Sequence, residues 1–189
     1  MTLDEFWGHV KASKRRDPEA HAERLVKRLT KLPPDAIIDF DHWWDTVKQE
    51  AYRWNLWGAA YTINGGCSDD GFIDFRSWLV LQGREVFQAA LANPDSLADV
   101  VDGEDEEATC ECYPASRAWF QATGTEENTE GYAAQHAAYE ARHPRQTPAA
   151  EHDMGENWDF DDYAETRRRL PRLASMYHQE ERGSDGEVV

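Results

Sequence analysis

Two adjacent carboxylates near the middle of the chain are the residues whose types and spacing first suggest chemistry. Asp69 and Asp70 follow Ser68 and precede Gly71. Neighbouring carboxylates could bind a hard cation or an amine, or hold an arginine in place. The same residues could instead begin a helix, where acidic and hydroxyl side chains stabilise the first turn. Both alternatives stay open, and we give the capping role the greater weight.

Arg76 and Arg84 are the next cationic side chains along the chain. Eight residues correspond to about two helical turns, so the two guanidinium groups could share a helix face if Gly83 does not interrupt the helix. Such a pair could clamp a carboxylate or phosphate of a small ligand. The simpler interpretation is ordinary salt bridging to nearby aspartates.

Cys67 lies between a Gly-Gly pair and the candidate helix start. A thiol at a helix N-terminus can have a lowered pKa and act as a nucleophile. A base would be required, however, and no histidine lies nearby in sequence, so His42 could approach only through the fold. We therefore favour a buried structural cysteine.

The other metal-ligating side chains give no recognised pattern. Cys110 and Cys112 form an isolated pair without the second pair that a zinc site of this kind requires. His136 and Glu140 are four residues apart and are interpreted as a pair on a helix surface. The sequence therefore predicts no cofactor and no metal site, apart from the two adjacent carboxylates as candidates.

Aromatic residues are interleaved with these polar groups. They could form an aromatic cage, which binds cationic or flat ligands, or they could pack in the core. Rigid apolar walls around a few convergent polar groups are typical of a binding pocket. The candidate pocket, between residues 54 and 84, comprises Trp54, Trp57, Tyr61, Asn64, Cys67, Asp69, Asp70, Arg76, Trp78 and Arg84.

The elements that must position these residues begin with recognisable helix-start signals. Thr2 and Glu5 fit a capping box. Asp17 before Pro18 is typical of an N-cap followed by a first-turn proline. A third helix is predicted from about Pro34, since apolar residues then recur with a 3.6-residue rhythm.

This third pattern is long and ends at a strong stop signal. The rhythm reaches Trp54 and continues, with a kink predicted near Asn55, to Ile63. Gly65 and Gly66 then tolerate the positive φ of a helix C-cap. Further helices are expected downstream, and strand signals are few because β-branched residues are scarce.

The fold class predicted from these patterns is all-α. We expect a single irregular helical bundle over residues 1–179, in which the C-terminal half wraps the N-terminal helices. Residues 180–189 are predicted to form a disordered acidic tail.

The charge of the chain restricts its partners. A formal net charge of −17 repels phosphate backbones and anionic membranes, so neither nucleic acid nor a membrane is an expected partner. Residues 99–107 are especially acidic and could bind a basic partner, although we favour a solvated loop as the explanation.

The cysteines and the N-terminus indicate the compartment. Three cysteines and no signal-peptide pattern favour a reducing environment without a disulfide framework. No apolar run approaches the length of a membrane-spanning helix. We therefore expect a cytoplasmic protein.

A family resemblance rests on one motif, Trp54-x-Leu56-Trp57-x-Ala59-Ala60-Tyr61-x-Ile63-x-Gly65-Gly66-Cys67-Ser68-Asp69-Asp70-Gly71-Phe72, followed by Phe75-Arg76-x-Trp78-Leu79. This motif resembles the bacterial domain-of-unknown-function 4240 family, and the resemblance covers roughly residues 2–120. The chain departs from the family pattern at Asn55, where the resemblance leads us to expect an aspartate. Because the family has no known function, the resemblance implies no reaction.

Two functions are consistent with the sequence. The first is a non-catalytic binding or regulatory protein that recognises a small ligand or a protein partner at residues 54–84. The second is an enzyme that uses Asp69 or Asp70 as base or metal ligand on a small anionic substrate, with an arginine holding the anion. We rank binding above catalysis because no recognisable general base is present.

Overall fold

The computed structural model describes residues 1–103, 107–142 and 153–177. These residues form helices and no β-strand, which confirms the all-α prediction. The helices are α1 (Leu3–Ser13), α2 (Pro18–Leu29), α3 (Pro34–Glu50), α4 (Trp54–Asn64), α5 (Asp69–Gln82), α6 (Arg84–Ala92), the 3-10 helix η1 (Pro94–Asp99), α7 (Pro114–Thr123), α8 (Thr129–Arg142), α9 (Tyr163–Arg169) and α10 (Pro171–Tyr177).

Side-chain caps begin the first two helices as the sequence predicted. The hydroxyl of Thr2 accepts a hydrogen bond from the backbone N–H of Glu5 at 3.2 Å, and the Glu5 carboxylate accepts one from the Thr2 N–H at 2.7 Å. Asp17 accepts a hydrogen bond from the backbone N–H of Ala20 at 2.6 Å, directly before Pro18. Each cap satisfies backbone donors that have no partner inside the helix.

The long pattern that runs from α3 into α4 was predicted to be one kinked helix, and this prediction is wrong. The first helix ends at Glu50, and Arg53 is extended (φ −136°, ψ 142°) before α4 begins at Trp54. The break leaves the Trp54 N–H free to donate to the Met154 carbonyl at 2.9 Å. Hydrophobic rhythm does not detect such a break, because apolar residues keep helical spacing on both sides.

Glycines with positive φ end α4 and separate α5 from α6. Gly65 (φ 64°) is the left-handed C-cap of α4, and the Gly66 N–H donates back to the Tyr61 carbonyl at 2.9 Å. Gly83 (φ 98°) ends α5, so α6 starts a new direction immediately afterwards. Both positions favour glycine because an L side chain is strained there.

The core lies where α1, α2, α3 and α5 meet. Its largest fully buried side chains are aromatic and aliphatic residues from several helices: Phe6, Leu25, Leu29, Ile37, Phe40, Leu56, Phe72, Phe75, Leu79, Leu81, Phe87 and Leu97. Burial of this apolar surface is the main stabilising contribution to the fold.

The second half of the chain packs on the first, as predicted. The helix α7 lies against α2 and α3, α8 against α3, and α9 and α10 against α4. Asp95, only 4% exposed, accepts hydrogen bonds at 3.0 Å from the backbone N–H groups of Arg172 and Leu173 at the start of α10. A buried carboxylate from η1 therefore caps the last helix.

The predicted boundaries at residues 179 and 180 lie outside the described residues, so the single domain and the acidic tail stay predictions. Within the described parts of the chain, no helix combines the length and apolarity needed to cross a bilayer.

Candidate functional site

The aromatic residues of the motif pack on one another in a column. Trp54 stacks on Trp57 with ring centroids 5.3 Å apart and an interplanar angle of 7°, and Trp57 stacks on Phe72 at 4.8 Å and 13°. The column continues through Phe75 at 5.9 Å to Trp78 at 5.5 Å. Because each ring packs directly against the next, protein atoms occupy the space between them. These aromatic side chains are therefore part of the core.

Residues from the C-terminal part close this column on its outer side. The ring of Phe160 lies 6.2 Å from Trp54 and 5.5 Å from Tyr61. The Tyr61 hydroxyl donates to Asp161 at 2.6 Å. Trp158 lies against Gly58, where a Cβ atom would come within 2.1 Å of its Cζ2 atom. The absence of a side chain at this position is what lets the indole pack on α4.

Polar groups of the motif are used to hold neighbouring backbone. The Trp57 indole N–H donates to the Cys67 carbonyl at 2.9 Å and thereby fixes the turn between α4 and α5. The Asn64 side-chain oxygen accepts a hydrogen bond from the backbone N–H of Ala108 at 2.8 Å. Because Ala108 is buried, this bond satisfies a donor that water does not reach.

The two arginines of the candidate pocket do not converge. Arg76 donates to the Lys48 carbonyl at 3.1 Å and lies over the Tyr52 ring at 4.7 Å. Arg84 lies at the start of α6 and donates to the Asp4 carboxylate at 2.6 Å. The glycine at position 83 breaks the helix that the predicted clamp required.

Cys67 has no features of an activated nucleophile. Burial, followed in size by the negative charges of Asp69 and Asp74, raises the pKa of its thiol to about 11. A thiol with such a pKa is almost entirely protonated near neutral pH, and the thiolate is the reactive form. Cys67 is half-buried rather than buried as predicted, and its structural role stays a prediction.

Asp69 and Asp70 begin α5 and are exposed to solvent. The N-cap is Ser68, whose hydroxyl accepts a hydrogen bond from the backbone N–H of Gly71 at 3.1 Å. The two carboxylates therefore lie in the first turn, where they interact favourably with the helix dipole. Within the described residues, neither belongs to a group of side chains that could hold a metal ion.

An acidic surface continues along α5 from these residues. Burial and the neighbouring carboxylates of Glu111 and Asp70 raise the pKa of Asp74, while Lys48 opposes this effect. The backbone holds Glu111 close, because the Cys110 N–H donates to the Asp74 carbonyl at 3.2 Å. Ile73, 38% exposed, lies between these acids. We call Asp69, Asp70, Ile73, Asp74 and Glu111 the acidic α5 surface.

The acidic stretch at residues 99–107 is in part outside the described residues, which end at 103 and resume at 107. Asp99 accepts a hydrogen bond from the Arg172 guanidinium at 3.0 Å, and this contact ties η1 to α10. Asp102 and Glu107 are exposed.

A shallow cavity of about 240 Å³ lies beside the start of α4. Its lining includes Asn55, the position at which the chain departs from the expected aspartate, together with Leu91 and Met154. The Asn55 side-chain oxygen accepts a hydrogen bond from Arg169 at 3.2 Å. Asn55 is therefore an uncharged hydrogen-bond partner of Arg169, which also forms ion pairs with Glu156 and Glu165.

A second polar cluster was not predicted as a site. His136 and Glu140 of α8 were interpreted as a surface pair, but they lie against α3, and the rings of His42 and His136 are 4.4 Å apart. The Glu140 carboxylate is 3.7 Å from the His42 Nε2 atom. The sequence signal was the i, i+4 spacing in α8, which shows a shared face but not what that face contacts.

Two carboxylates of α3 adjoin this cluster. Asp41 lies 3.8 Å from His136 Nε2 and accepts a hydrogen bond from the Tyr132 hydroxyl at 2.8 Å. Burial, with the charge of Asp45, raises the pKa of Asp41 to about 7. We call Asp41, His42, Asp45, His136 and Glu140 the α3–α8 cluster.

The chain belongs to the DUF4240 family, described as a protein of unknown function, whose model matches residues 1–121. The matched region contains the aromatic column and the acidic α5 surface, whereas α8, α9 and α10 follow it. Neither the curated proteins nor the solved structures that were compared with the chain include a match.

Proposed function

We propose that the chain is a non-catalytic binding protein that uses the acidic α5 surface to hold a basic segment of a protein partner. The observation that carries this proposal is an exposed isoleucine, Ile73, on the same helix as Asp69, Asp70 and Asp74. Apolar contact with Ile73 would supply affinity, and the acids would select a partner of opposite charge.

A protein partner is favoured over a small ligand by the packing of the aromatic column. Trp57 and Trp78 are 9% and 6% exposed, so they offer little surface to a bound molecule. What the motif leaves to solvent is a convex helix face rather than an enclosed pocket. Convex charged faces suit a peptide or protein segment better than they suit a small ligand, which needs to be enclosed.

The charges in this surface support a basic partner. Within the described residues, the ion pairs involve neither Asp69 nor Asp70. The net charge of −17 adds a long-range attraction for cations and speeds encounter with them. The same field opposes nucleic acid, so we propose no partner of that class.

The test is binding of a fluorescein-labelled peptide in which lysine and leucine alternate. We expect Asp70→Lys to weaken binding about 2- to 30-fold, since an exposed ion pair is worth about 0.2–1 kcal/mol and reversal replaces that attraction with a repulsion of similar size. Ile73→Ser should weaken peptide binding both at low salt and at high salt. Glu23→Lys, a reversal at an exposed residue of α2, is the matched control. Equal losses in Asp70→Lys and Glu23→Lys would show that only the net charge matters.

The enzyme hypothesis makes a different demand on Asp69 and Asp70. A general base must reach the proton that it removes, and a carboxylate must be ionised and poised to accept it. Asp70→Asn keeps the shape of the side chain and removes its charge. An activity found in the wild-type protein and lost in this variant, with peptide binding intact, would favour catalysis over binding.

We also propose a cytoplasmic location. Cys67, Cys110 and Cys112 are free thiols, and this state persists most readily in a reducing compartment. Mass spectrometry of the protein from cells lysed in denaturant that contains an alkylating agent would show three modified cysteines. A Cys110–Cys112 disulfide in that experiment would contradict the proposal.

A further inference from the structure

We propose that the α3–α8 cluster is a binding site for a divalent transition-metal ion of the Zn²⁺ class, and that the ion ties α8 to α3. The cluster places two imidazoles and three carboxylates where these helices meet. The proposal is independent of the acidic α5 surface, since no residue is shared between the two.

The ligand atoms are close enough to share one ion. They form two overlapping groups, His42, His136 and Glu140 in one and Asp41, Asp45 and His136 in the other, and within each group the atoms lie within 4.8 Å of one another. Zinc bonds of about 2.0–2.2 Å place tetrahedral ligand atoms about 3.3–3.6 Å apart. Small side-chain rotations would therefore close either group around an ion.

His136 is the ligand common to both groups. Its Nε2 atom is buried and has no hydrogen-bond partner among the described residues, with the Asp41 carboxylate at 3.8 Å. A buried ring nitrogen normally has a partner, because an unsatisfied one costs free energy. A metal ion bound to the His136 Nε2 atom would give that atom a partner, and Asp41 lies close enough to share the ion.

The charges of the cluster also call for a cation. The Asp41 side chain is only 19% exposed, and its carboxylate lies within 4.8 Å of that of Asp45. A divalent ion would balance the two negative charges. The Tyr132 hydroxyl, which donates to Asp41 at 2.8 Å, would orient that ligand as outer-shell hydrogen bonds do in metal sites.

The donor set selects the kind of ion. Imidazole nitrogen with carboxylate oxygen suits zinc and neighbouring transition metals, whereas calcium and magnesium take oxygen ligands almost alone. The Glu140 side chain is 47% exposed while that of His42 is 11% exposed, so the site opens on the Glu140 side. An ion could enter there without rearrangement of the helices.

The consequence would be a metal-dependent attachment of α8. Tyr139 is the one buried residue of α8, and Tyr132 packs on Trp119 and Phe120 at 5.7 and 5.9 Å, so few apolar side chains hold this helix. The helix also lies beyond the part of the chain that the family model matches. Ligands from α3, inside the family region, and from α8, outside it, would join the two parts.

The test is zinc titration of the EDTA-treated full chain by calorimetry and thermal unfolding. We expect one Zn²⁺ per chain. With free zinc at 100 times Kd, binding should raise Tm by about 5–11 °C, because such saturation adds about 2.7 kcal/mol to the free energy of unfolding and each kcal/mol corresponds to about 2–4 °C at this chain length. Zinc should also slow proteolysis within residues 124–128. His136→Gln should abolish these effects, and Glu140→Gln should weaken binding at least tenfold. His9→Gln, at a half-buried histidine of α1, is the matched control.

Cobalt substitution separates this site from the buried cysteine pair. Co²⁺ on nitrogen and oxygen ligands shows visible absorption without a thiolate charge-transfer band, and Cys110→Ser with Cys112→Ser should leave that spectrum unchanged. A thiolate band, or zinc binding that survives His136→Gln, would overturn the proposal. So would the absence of binding in wild type at 100-fold molar excess of zinc. Far-UV circular dichroism of His136→Gln checks that the variant is folded.

Discussion

Replacing Gly58 by alanine should destabilise the protein, although alanine is the better helix former. A Cβ at position 58 would lie 2.1 Å from the Trp158 Cζ2 atom and 2.8 Å from Cη2. Ordinary contact begins near 3.4 Å, so the rigid indole would have to move by more than 1 Å. Trp158 is 9% exposed and is held by Phe160 at 4.8 Å and by Arg169 at 5.4 Å.

The magnitude follows from two opposing contributions. Displacing a buried tryptophan costs about 3–5 kcal/mol, the value found when such a side chain is truncated. Replacing a glycine inside a helix by alanine returns about 1 kcal/mol. The net expectation for Gly58→Ala is a loss of about 2–4 kcal/mol in the free energy of unfolding.

The chain supplies a matched control in Gly8, which lies inside α1 and whose Cβ would meet no atom within 4 Å. Gly8→Ala should stabilise by about 1 kcal/mol and raise Tm by about 2–4 °C. Urea unfolding of both variants measures the contrast. If Gly58→Ala stabilises by the same amount as Gly8→Ala, the packing of Trp158 on α4 is refuted.

A double-mutant cycle tests the contact directly. In the Trp158→Ala background the added methyl group meets no indole, so Gly58→Ala should become neutral or stabilising there. The coupling free energy between the two positions should reach about 2–5 kcal/mol, at or above the upper end for residues in contact. Additive effects would show that the two residues do not touch.

Three further outcomes follow from single groups. Asn64→Ala should cost about 1–3 kcal/mol because it leaves the buried Ala108 N–H unpaired, and Asn64→Asp, which keeps an acceptor, should recover most of the loss in urea unfolding. Cys67, with its thiol pKa near 11, should react with iodoacetamide at pH 8 about 100-fold more slowly than an exposed cysteine, by mass spectrometry. Asp41, with a pKa raised to about 7, holds a proton in the folded state that the unfolded chain loses near pH 4. Its stabilisation is therefore present below about pH 4 and lost as the pH rises to 7. In EDTA, the free energy of unfolding of wild type should fall relative to that of Asp41→Asn across this pH range. Parallel plots of unfolding free energy against pH for the two proteins would contradict this.

Local signals in the sequence predicted much of the helical fold. The caps at Thr2 and Asp17 and the stop at Gly65 act through neighbouring residues, so the sequence contains all the information they require. At Ser68 and Gly83 the sequence left alternatives open, and the structure makes Ser68 the N-cap and Gly83 the end of α5. The break between α3 and α4 was missed because its cause is distant. The carbonyl that receives the Trp54 N–H belongs to Met154, a hundred residues later in the chain.

The candidate pocket shows the same division between local and distant information. The motif identified residues that lie together, since α4 and α5 are adjacent in the chain and in space. Whether an aromatic side chain faces a ligand or another ring depends on what packs against it. The approach of Phe160 to Trp54 and Tyr61 is a contact across about a hundred residues, and periodicity contains no signal for it.

The α3–α8 cluster was missed for a further reason. His42 and His136 are separated by 94 positions, and each lies in a helix whose pattern explains it without the other. A metal-ligand motif is recognisable in sequence only when the ligands come from one turn or one helix pair of fixed spacing. The fold, rather than the spacing, brings these imidazoles together.

Several residues of the family motif pack against residues from the C-terminal part of the chain. Gly58, Trp54 and Tyr61 lie in the matched region, yet their partners are Trp158, Met154 and Asp161, which lie outside it. The aromatic face of α4 is therefore completed by residues 153–177.

A chain ending at residue 142 should show the importance of this completion. It would lose Trp158, Leu170 and Leu173, each nearly fully buried, and a single buried leucine or tryptophan is worth about 2–5 kcal/mol. We expect Tm to fall by at least about 10 °C, because the three side chains together contribute more than about 6 kcal/mol and each kcal/mol corresponds to about 2–4 °C. Exposed apolar surface on α4 should also bind the dye ANS. A truncated chain that melts with the full chain and binds no dye would show that residues 1–142 bury the aromatic column without help.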